Sequence, residues 1–265
     1  MLRTRVIPCL TIENGGLVKT VRFGKRTYLG DPINIVRIFN DKEVDEIILL
    51  DISATVGARE PDYALIEKIA SQCFMPLSYG GGISNVEQGR RLLNLGVEKL
   101  VLNTAAITQP DLVGQMSSQF GSQAVVVSID AKRSFLGNYD TYTHGGQRST
   151  KRTPVACATA AAAQGCGEIL INAIDQDGMM KGYDIKLIRS VVSATGVPTI
   201  ACGGAGTLED FRTAVHEGGA AAVAAGSLFV FHGKHRAVLI NYPPPDTLAV
   251  LLHGQAAREG SQLLP

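Results

Sequence analysis

Residues 79–84 read YGGGIS and residues 202–207 read CGGAGT, so a glycine cluster follows an apolar run at two places in the chain. Both copies continue with a helix-like segment, a Gly-x-x step and a second apolar run that ends in a small polar residue. The spacing is constant at 123 residues for three pairs of equivalent positions: Gly80 and Gly203, Gly96 and Gly219, Thr104 and Ser227. The sequence therefore predicts an internal repeat.

Glycine clusters that follow a strand are typical of anion-binding turns. Without a Cβ atom the backbone can approach a phosphate, and the N–H groups at the start of the next helix point at it. We interpret residues 79–84 with 102–104 as a first grip, and residues 202–207 with 225–227 as a second grip. Two grips predict a ligand with a phosphate at each end.

Apolar, strand-like runs alternate with helix-like segments along the whole chain. Helix starts are indicated by Asp-Pro at 31–32, Ser-Asn-Val-Glu at 84–87 and Thr-Pro at 153–154. Uniformly apolar strands joined by helices indicate a parallel sheet. Eight units in about 250 residues predict the α/β class, a (β/α)8 TIM barrel built from two half-barrels. A doubly wound open sheet is the alternative, but it explains the repeat less well. The predicted strands are 4–10, 46–50, 75–79, 99–102, 124–129, 168–172, 197–201 and 221–225.

The barrel is predicted to occupy residues 1–242. Residues 243–265 begin with three prolines and are predicted to form a weakly ordered tail that leaves the barrel. Two connections are long: residues 11–30 are interpreted as a loop, and residues 131–152 as a loop that includes a hairpin over 137–151. Both lie at the C-terminal end of the barrel, where barrel enzymes carry their chemistry.

The composition argues against several classes of protein. The chain has 265 residues, 45% of them hydrophobic, and a net charge of +1, so neither a nucleic acid nor a membrane partner is expected. Its five cysteines form no CxxC pair, which predicts reduced thiols in a cytoplasmic protein. No signal segment is apparent, and the longest apolar run is too short to span a bilayer. We expect no metal site and no cofactor.

Residues at the predicted strand ends are the candidates for chemistry. Asp130, after strand 5, could act as a general acid or base, or could only cap the next loop. Thr11, after strand 1, is expected opposite Asp130 and cannot titrate near neutral pH. Lys19 could reach a phosphate, although a solvated loop lysine is the commoner case. Four charged residues lie at or near strand starts, where they could pair in a ring or be ordinary boundary charges: Arg5, Glu46, Lys99 and Glu168.

Taken together, these features resemble the cyclase subunit of imidazole glycerol phosphate synthase, a half-barrel-repeat (β/α)8 protein of histidine biosynthesis. The resemblance covers roughly residues 3–240. It implies a ribulosyl aminoimidazole carboxamide nucleotide substrate bound by its two phosphates, and ammonia supplied by a glutaminase subunit in a heterodimer. It implies imidazole glycerol phosphate and AICAR as products. The segments that carry it include RVIPCL at 5–10, GDP at 30–32, YGGGI at 79–83, NTAA at 103–106, FGSQAVVV at 120–127, IDAKR at 129–133, GYD at 182–184 and GGAG at 203–206.

The resemblance also implies roles for single residues. Asp130 matches one of the family's two catalytic aspartates, and Lys19 matches a residue on a mobile loop that contacts phosphate or substrate. The ammonia gate is assigned to Arg5, Glu46, Lys99 and Glu168. The phosphate contacts are assigned to Gly81, Gly82, Asn103, Thr104, Asp177, Gly178, Gly203, Gly204, Gly226 and Ser227.

The chain departs from the family pattern at three positions. Thr11 stands in place of the other catalytic aspartate, Thr20 in place of a glycine and Met179 in place of a threonine. Loss of one acid–base group typically costs about 10²–10⁴-fold in rate. The combination resembles a diverged branch that occurs with a glutaminase homologue and a sugar amidotransferase in surface-polysaccharide (O-antigen) synthesis.

Three hypotheses remain open. The first is a barrel that helps to deliver ammonia for sugar amidation, and the second is a working histidine-pathway cyclase. The third is a half-barrel bisphosphate sugar isomerase. Such isomerases use a carboxylate on strand 1 and need no ammonia gate, so Thr11 and the four charged residues count against this third hypothesis.

Overall fold

The structure is a computed structural model that describes residues 3–135, 137–233 and 235–254. Its centre is a closed barrel of parallel strands, in which each strand pairs with its neighbours in the chain and the first pairs with the last. The predicted (β/α)8 barrel is therefore confirmed. The barrel strands are β1 (Arg5–Glu13), β2 (Ile47–Asp51), β3 (Leu77–Gly80), β4 (Lys99–Leu102), β5 (Val125–Arg133), β6 (Glu168–Ala173), β7 (Thr199–Cys202) and β8 (Ala222–Ala225).

Helices surround the barrel, and local capping explains where they begin. Side chains of Asp31, Asp62 and Asp184 accept the orphan N–H groups of the first turns of their helices. The helix start indicated at 84–87 is confirmed, with Asn85 as the cap: its side chain accepts a hydrogen bond from the N–H of Gln88. The helices are α1 (Pro32–Asp41), α2 (Tyr63–Ala70), α3 (Val86–Asn94), α4 (Thr104–Thr108), α5 (Asp111–Phe120), α6 (Pro154–Ala163), α7 (Ile185–Ala194), α8 (Leu208–His216), α9 (Ser227–Val230) and α10 (Pro245–His253).

Both long connections fold as antiparallel extensions of the strand that precedes them. The hairpin predicted over 137–151 is confirmed, with strands Tyr139–Thr143 and Arg148–Ser149. The loop predicted over 11–30 is wrong, because β1 turns back at residues 14–15 into strands Gly16–Thr20 and Arg26–Gly30. Both turn residues have positive φ, as a two-residue type I′ hairpin requires. We call residues 14–30 the first hairpin and residues 134–152 the second hairpin.

The chain beyond β8 stays on the barrel as far as it is described. The buried Tyr242 donates a 2.8 Å hydrogen bond to the carbonyl of Val6, and α10 packs against α8 through buried Leu248 and Leu252. The boundary predicted at residue 242 is therefore corrected, because α10 is part of the barrel's outer layer. Residues 255–265 of the predicted tail lie outside the described residues.

The core has two parts that are separated by the barrel wall. The larger part lies between strands and helices, and the smaller one fills the barrel interior. All five cysteines are free thiols. No helix within the described ranges has the length and apolar character needed to cross a membrane. The interior cluster includes Ile7, Ile48, Val101, Val126, Leu170, Ile200, Ala222 and Ala224.

Candidate active site and barrel interior

Four charged side chains close the lower end of the barrel, where the strands begin. Arg5 forms ion pairs with both Glu46 and Glu168. Lys99 Nζ lies 2.9 Å from one oxygen of each of the same two carboxylates. The four residues therefore form one ring of alternating charge, whose net charge is zero. We call it the charged ring.

The charged ring is partly buried, and its mutual ion pairs distinguish it from a set of separate boundary charges. Glu46 is 2% exposed, and Ser78 donates a 2.7 Å hydrogen bond to its other carboxylate oxygen. Although burial lowers it, the pKa of Arg5 is raised because the carboxylates of Glu168 and Glu46 face the guanidinium. The sequence analysis missed Ser78, although its place two residues before Gly80 on β3 puts it on the inward face.

Successive inward-facing residues of β1 give the order of layers inside the barrel. Arg5 belongs to the charged ring, Ile7 to the apolar interior cluster, and Cys9 and Thr11 to a cavity at the upper end. This cavity has a volume of about 560 Å³. The order of layers along the barrel axis is therefore balanced charges, then apolar side chains, then a polar pocket.

Asp130 is one of two buried carboxyl groups in the described lining of this cavity. It is 8% exposed, and Asn103 Nδ2 donates to its Oδ2 at 3.2 Å. Burial raises the pKa of Asp130 to about 7, the nearby carboxylate of Asp177 adds to the rise, and a hydrogen bond from Asn172 lowers it. A carboxyl group that is half protonated near neutral pH can both donate and accept a proton, as general acid–base catalysis requires.

Thr11 lines the same cavity as Asp130, as the sequence analysis expected. It is 8% exposed, and its hydroxyl donates to the carbonyl of Val18 on the first hairpin. Its proton is therefore already used in a hydrogen bond. Thr11 offers a polar surface at this position but no titratable group.

Asp177 supplies a second carboxylate to the cavity. Thr20 Oγ1 donates to Asp177 Oδ2 at 3.0 Å, and the backbone N–H of Arg22 donates to the Asp177 carbonyl at 2.9 Å. Thr20 is one of the departures from the family pattern. Its hydroxyl gives the Asp177 carboxylate a hydrogen-bond donor, which a glycine at this position could not provide. These contacts fix the first hairpin to the loop after β6.

The first grip opens directly into the cavity. Gly81, Gly82, Asn103 and Thr104 all line it. Gly81 has φ +116°, and a Cβ atom there would lie 2.3 Å from the Asp51 carbonyl oxygen, so the turn requires glycine. The second hairpin reaches this grip, because the N–H of His144 donates to Thr104 Oγ1 at 3.0 Å.

The second grip lies beside the cavity, whose lining reaches Cys202 but not the glycines after it. Lys19 of the first hairpin lies against this grip: a Cβ atom on Gly226 would be 2.1 Å from Lys19 Cε. Arg236 also lies near this grip and donates to the Gly178 carbonyl at 3.2 Å. The residues assigned to phosphate contacts therefore lie in two places. Those of the first grip line the cavity, as does Asp177, whereas those of the second grip lie beside the cavity.

The match to known proteins covers most of the chain. Residues 5–236 match the family described as histidine biosynthesis protein. A Pseudomonas aeruginosa relative, provisionally named imidazole glycerol phosphate synthase subunit hisF2, is 51% identical over 250 residues, which are 94% of this chain and 100% of the relative. A Leptospira interrogans relative with the provisional subunit name HisF is 48% identical over 254 residues, 96% of this chain and 100% of its own. A Vibrio vulnificus relative, provisionally named hisF3, is 47% identical over 247 residues, 93% and 95% of the two chains.

The chain belongs to the cyclase-subunit family of imidazole glycerol phosphate synthase. Membership confirms the resemblance drawn from the sequence, and it places this cyclase subunit among the lyase-type enzymes of histidine biosynthesis. The subunit keeps Asp130 in a cavity at the end where barrel enzymes work, and it has Thr11 at the facing strand end.

Proposed function

We propose that this cyclase-type subunit accepts ammonia from a glutaminase partner, binds a bis-phosphorylated ligand or phosphate at its upper end, and serves the amidation of a surface-polysaccharide sugar. A sugar amidotransferase is the proposed consumer of the ammonia. The observation that carries the proposal is a complete charged ring below a cavity that has lost one acid–base residue.

The charged ring and the apolar layer above it favour a neutral molecule over an ion. The ring neutralises itself, so it presents no net charge that would attract an ammonium ion. Passage of ammonium beyond Ile7 and Leu170 would cost several kcal/mol in lost hydration. Neutral ammonia avoids most of that cost. The interior therefore suits ammonia delivery from the lower face to the cavity.

The upper end supports weakened cyclase chemistry. Asp130 remains able to transfer a proton near neutral pH, whereas the Thr11 hydroxyl donates to the first hairpin. Loss of one of two acid–base groups is expected to lower the rate by about 10²–10⁴-fold. Two relatives carry the numbered names hisF2 and hisF3. Numbered names of this kind are consistent with an additional copy of the cyclase-subunit gene that has a separate function.

A working histidine-pathway cyclase is the second candidate, and one observation favours it. Asp177 places another carboxylate near Asp130, and the Thr20 hydroxyl holds it in position. If Asp177 performs the missing proton transfer, the wild-type subunit would turn over at the rate of an ordinary synthase. The two candidates therefore differ in the rate of the unmodified protein.

The cyclase test uses ammonium salt and the ribulosyl aminoimidazole carboxamide nucleotide, with imidazole glycerol phosphate as the measured product. We expect slow turnover in the wild type and a faster rate in Thr11→Asp. Thr11→Val is the matched control, because it keeps the shape but adds no carboxylate. Wild-type turnover at an ordinary synthase rate would favour the working cyclase and remove the argument from Thr11.

The delivery test uses a candidate glutaminase homologue from the same organism. We expect co-purification at micromolar concentration and a stoichiometric ratio of amidated product to glutamate. Lys99→Met should lower that ratio because it opens the charged ring, whereas Lys186→Met, an exposed lysine on α7, should not. Absence of a complex, or an unchanged ratio in Lys99→Met, would contradict ammonia delivery.

A further inference from the structure

Two cations at the second grip have no carboxylate partner among the residues that the structure describes. Lys19 is 5% exposed, and its Nζ donates only a long hydrogen bond, 3.4 Å, to the Cys9 carbonyl. Arg236 lies 3.5 Å from the Ser227 hydroxyl and 3.2 Å from the Gly178 carbonyl. Across residues 3–135, 137–233 and 235–254, no carboxylate oxygen lies within 4.0 Å of either side chain's nitrogen atoms.

This arrangement is unfavourable without an anionic ligand. A buried ammonium group that lacks a counter-ion loses its hydration and receives little in return. An anion between the two side chains would neutralise both. The hydrogen-bond donors available to it are those that phosphate oxygens prefer: a guanidinium fork, an ammonium group and a hydroxyl.

Arg236 is held in place by the segment that carries it. Its guanidinium lies over the ring of Phe231, 4.6 Å from the ring centroid. The two residues belong to a short hairpin with strands Phe231–His232 and Ala237–Val238, and Arg236 has φ +51° at its turn. The fixed guanidinium loses little freedom when an anion binds.

Within the described part of the chain, the first grip has no comparable pair of cations. The repeat does not extend to Arg236, because the position 123 residues before it, Val113, is a buried core residue of α5 and not part of a hairpin. Arg59 lines the cavity near the first grip, but it is exposed and donates to the Ser53 hydroxyl at 2.7 Å. Both grips therefore have the same glycine-rich turn, but Lys19 and Arg236 give the second grip two cations that the first does not match in the described residues.

We propose that Arg236 is a specificity-determining residue of the second grip, where it and Lys19 bind the dianionic phosphate monoester end of the ligand. The second grip then binds phosphate more tightly than the first, and a bis-phosphorylated ligand takes one orientation. This inference rests on the proposed phosphate-binding function.

Inorganic phosphate is the probe, and backbone amide NMR reads the two grips separately. The N–H signals of Gly204 and Ser227 report the second grip, and those of Gly82 and Thr104 report the first. We expect a lower Kd at the second grip in the wild type. Arg236→Gln should raise that Kd about tenfold, the loss of one charge-assisted hydrogen bond, and leave the first grip unchanged. Arg37→Gln, an exposed arginine on α1, is the matched control.

Arg236→Lys separates charge from geometry, because it keeps the positive charge without the planar fork, and it should raise the Kd less than Arg236→Gln. A second-grip Kd within twofold of wild type in a folded Arg236→Gln would overturn the role of Arg236. Equal shifts at both grips in the variant would also overturn it. No phosphate-dependent shift at either grip in the wild type would overturn the phosphate-binding function itself.

Discussion

Replacement of Asp130 by asparagine should stabilise the protein at and above neutral pH. The pKa of Asp130 is about 7 in the folded protein, because burial disfavours its charge. In an unfolded chain an aspartate has a pKa of about 3.9. The raised pKa means that the folded state retains a proton that the unfolded chain releases. The stability contributed by this proton is fully present below pH ~4 and is lost as the pH rises through about 7.

The size of the effect follows from the two pKa values. They differ by about 3 units, and each unit corresponds to about 1.4 kcal/mol, so the contribution of Asp130 changes by about 4 kcal/mol between pH 4 and pH 8. Asparagine has nearly the same shape and does not titrate. We therefore expect Asp130→Asn to be about 3–4 kcal/mol more stable than wild type at pH 8, about 1–2 kcal/mol more stable at pH ~5, and similar to it only at pH ~4 and below.

Urea unfolding followed by circular dichroism at pH 5, 6, 7 and 8 measures this difference. The wild-type free energy of unfolding should fall relative to that of Asp130→Asn by up to about 1.4 kcal/mol per pH unit between pH ~5 and ~6.5. Asp41→Asn, an exposed aspartate at the end of α1, should run parallel to wild type. If the curves of Asp130→Asn and wild type were also parallel, the carboxyl would not be buried as described and the reasoning would be refuted.

Three further variants test other contacts. Gly226→Ala should push Lys19 aside and raise the phosphate Kd at the second grip several-fold, which the amide NMR titration measures; an unchanged Kd would contradict the placement of Lys19. Glu46→Gln leaves two cations with one carboxylate, and urea unfolding should show a loss of about 2–4 kcal/mol. Tyr242→Phe removes the hydrogen bond to Val6 and should cost about 1–2 kcal/mol in thermal unfolding; an unchanged Tm would contradict the docking of this segment.

The barrel could be predicted because its evidence is local. Each apolar run and each capping residue can be recognised from a few neighbouring positions in the sequence. Because the chain is a repeat, most of these patterns occur twice. The first hairpin was missed although Asn14-Gly15 is a strong local indication of a type I′ turn. The interpretation stopped β1 at Leu10, whereas apolar residues continue through Ile12 and resume at Leu17.

Parts of the site could not be predicted, because they depend on how distant loops meet. The end of a barrel strand is a defined place, so Asp130 and Thr11 could be assigned to one cavity. The contact between Thr20 and Asp177 joins residues 157 positions apart. No spacing rule connects such positions. Arg236 belongs to a segment outside the repeat, so the repeat gave no counterpart for it.

The charged ring has a consequence for the origin of the chain. Strands β1 to β4 supply Arg5, Glu46 and Lys99, whereas β5 to β8 supply only Glu168. Two copies of the first half would bring four cations to two carboxylates, and two copies of the second would bring two carboxylates and no cation. Neither present half could therefore form a balanced ring with a copy of itself. If the chain descends from two identical halves, its ring positions have changed since the duplication.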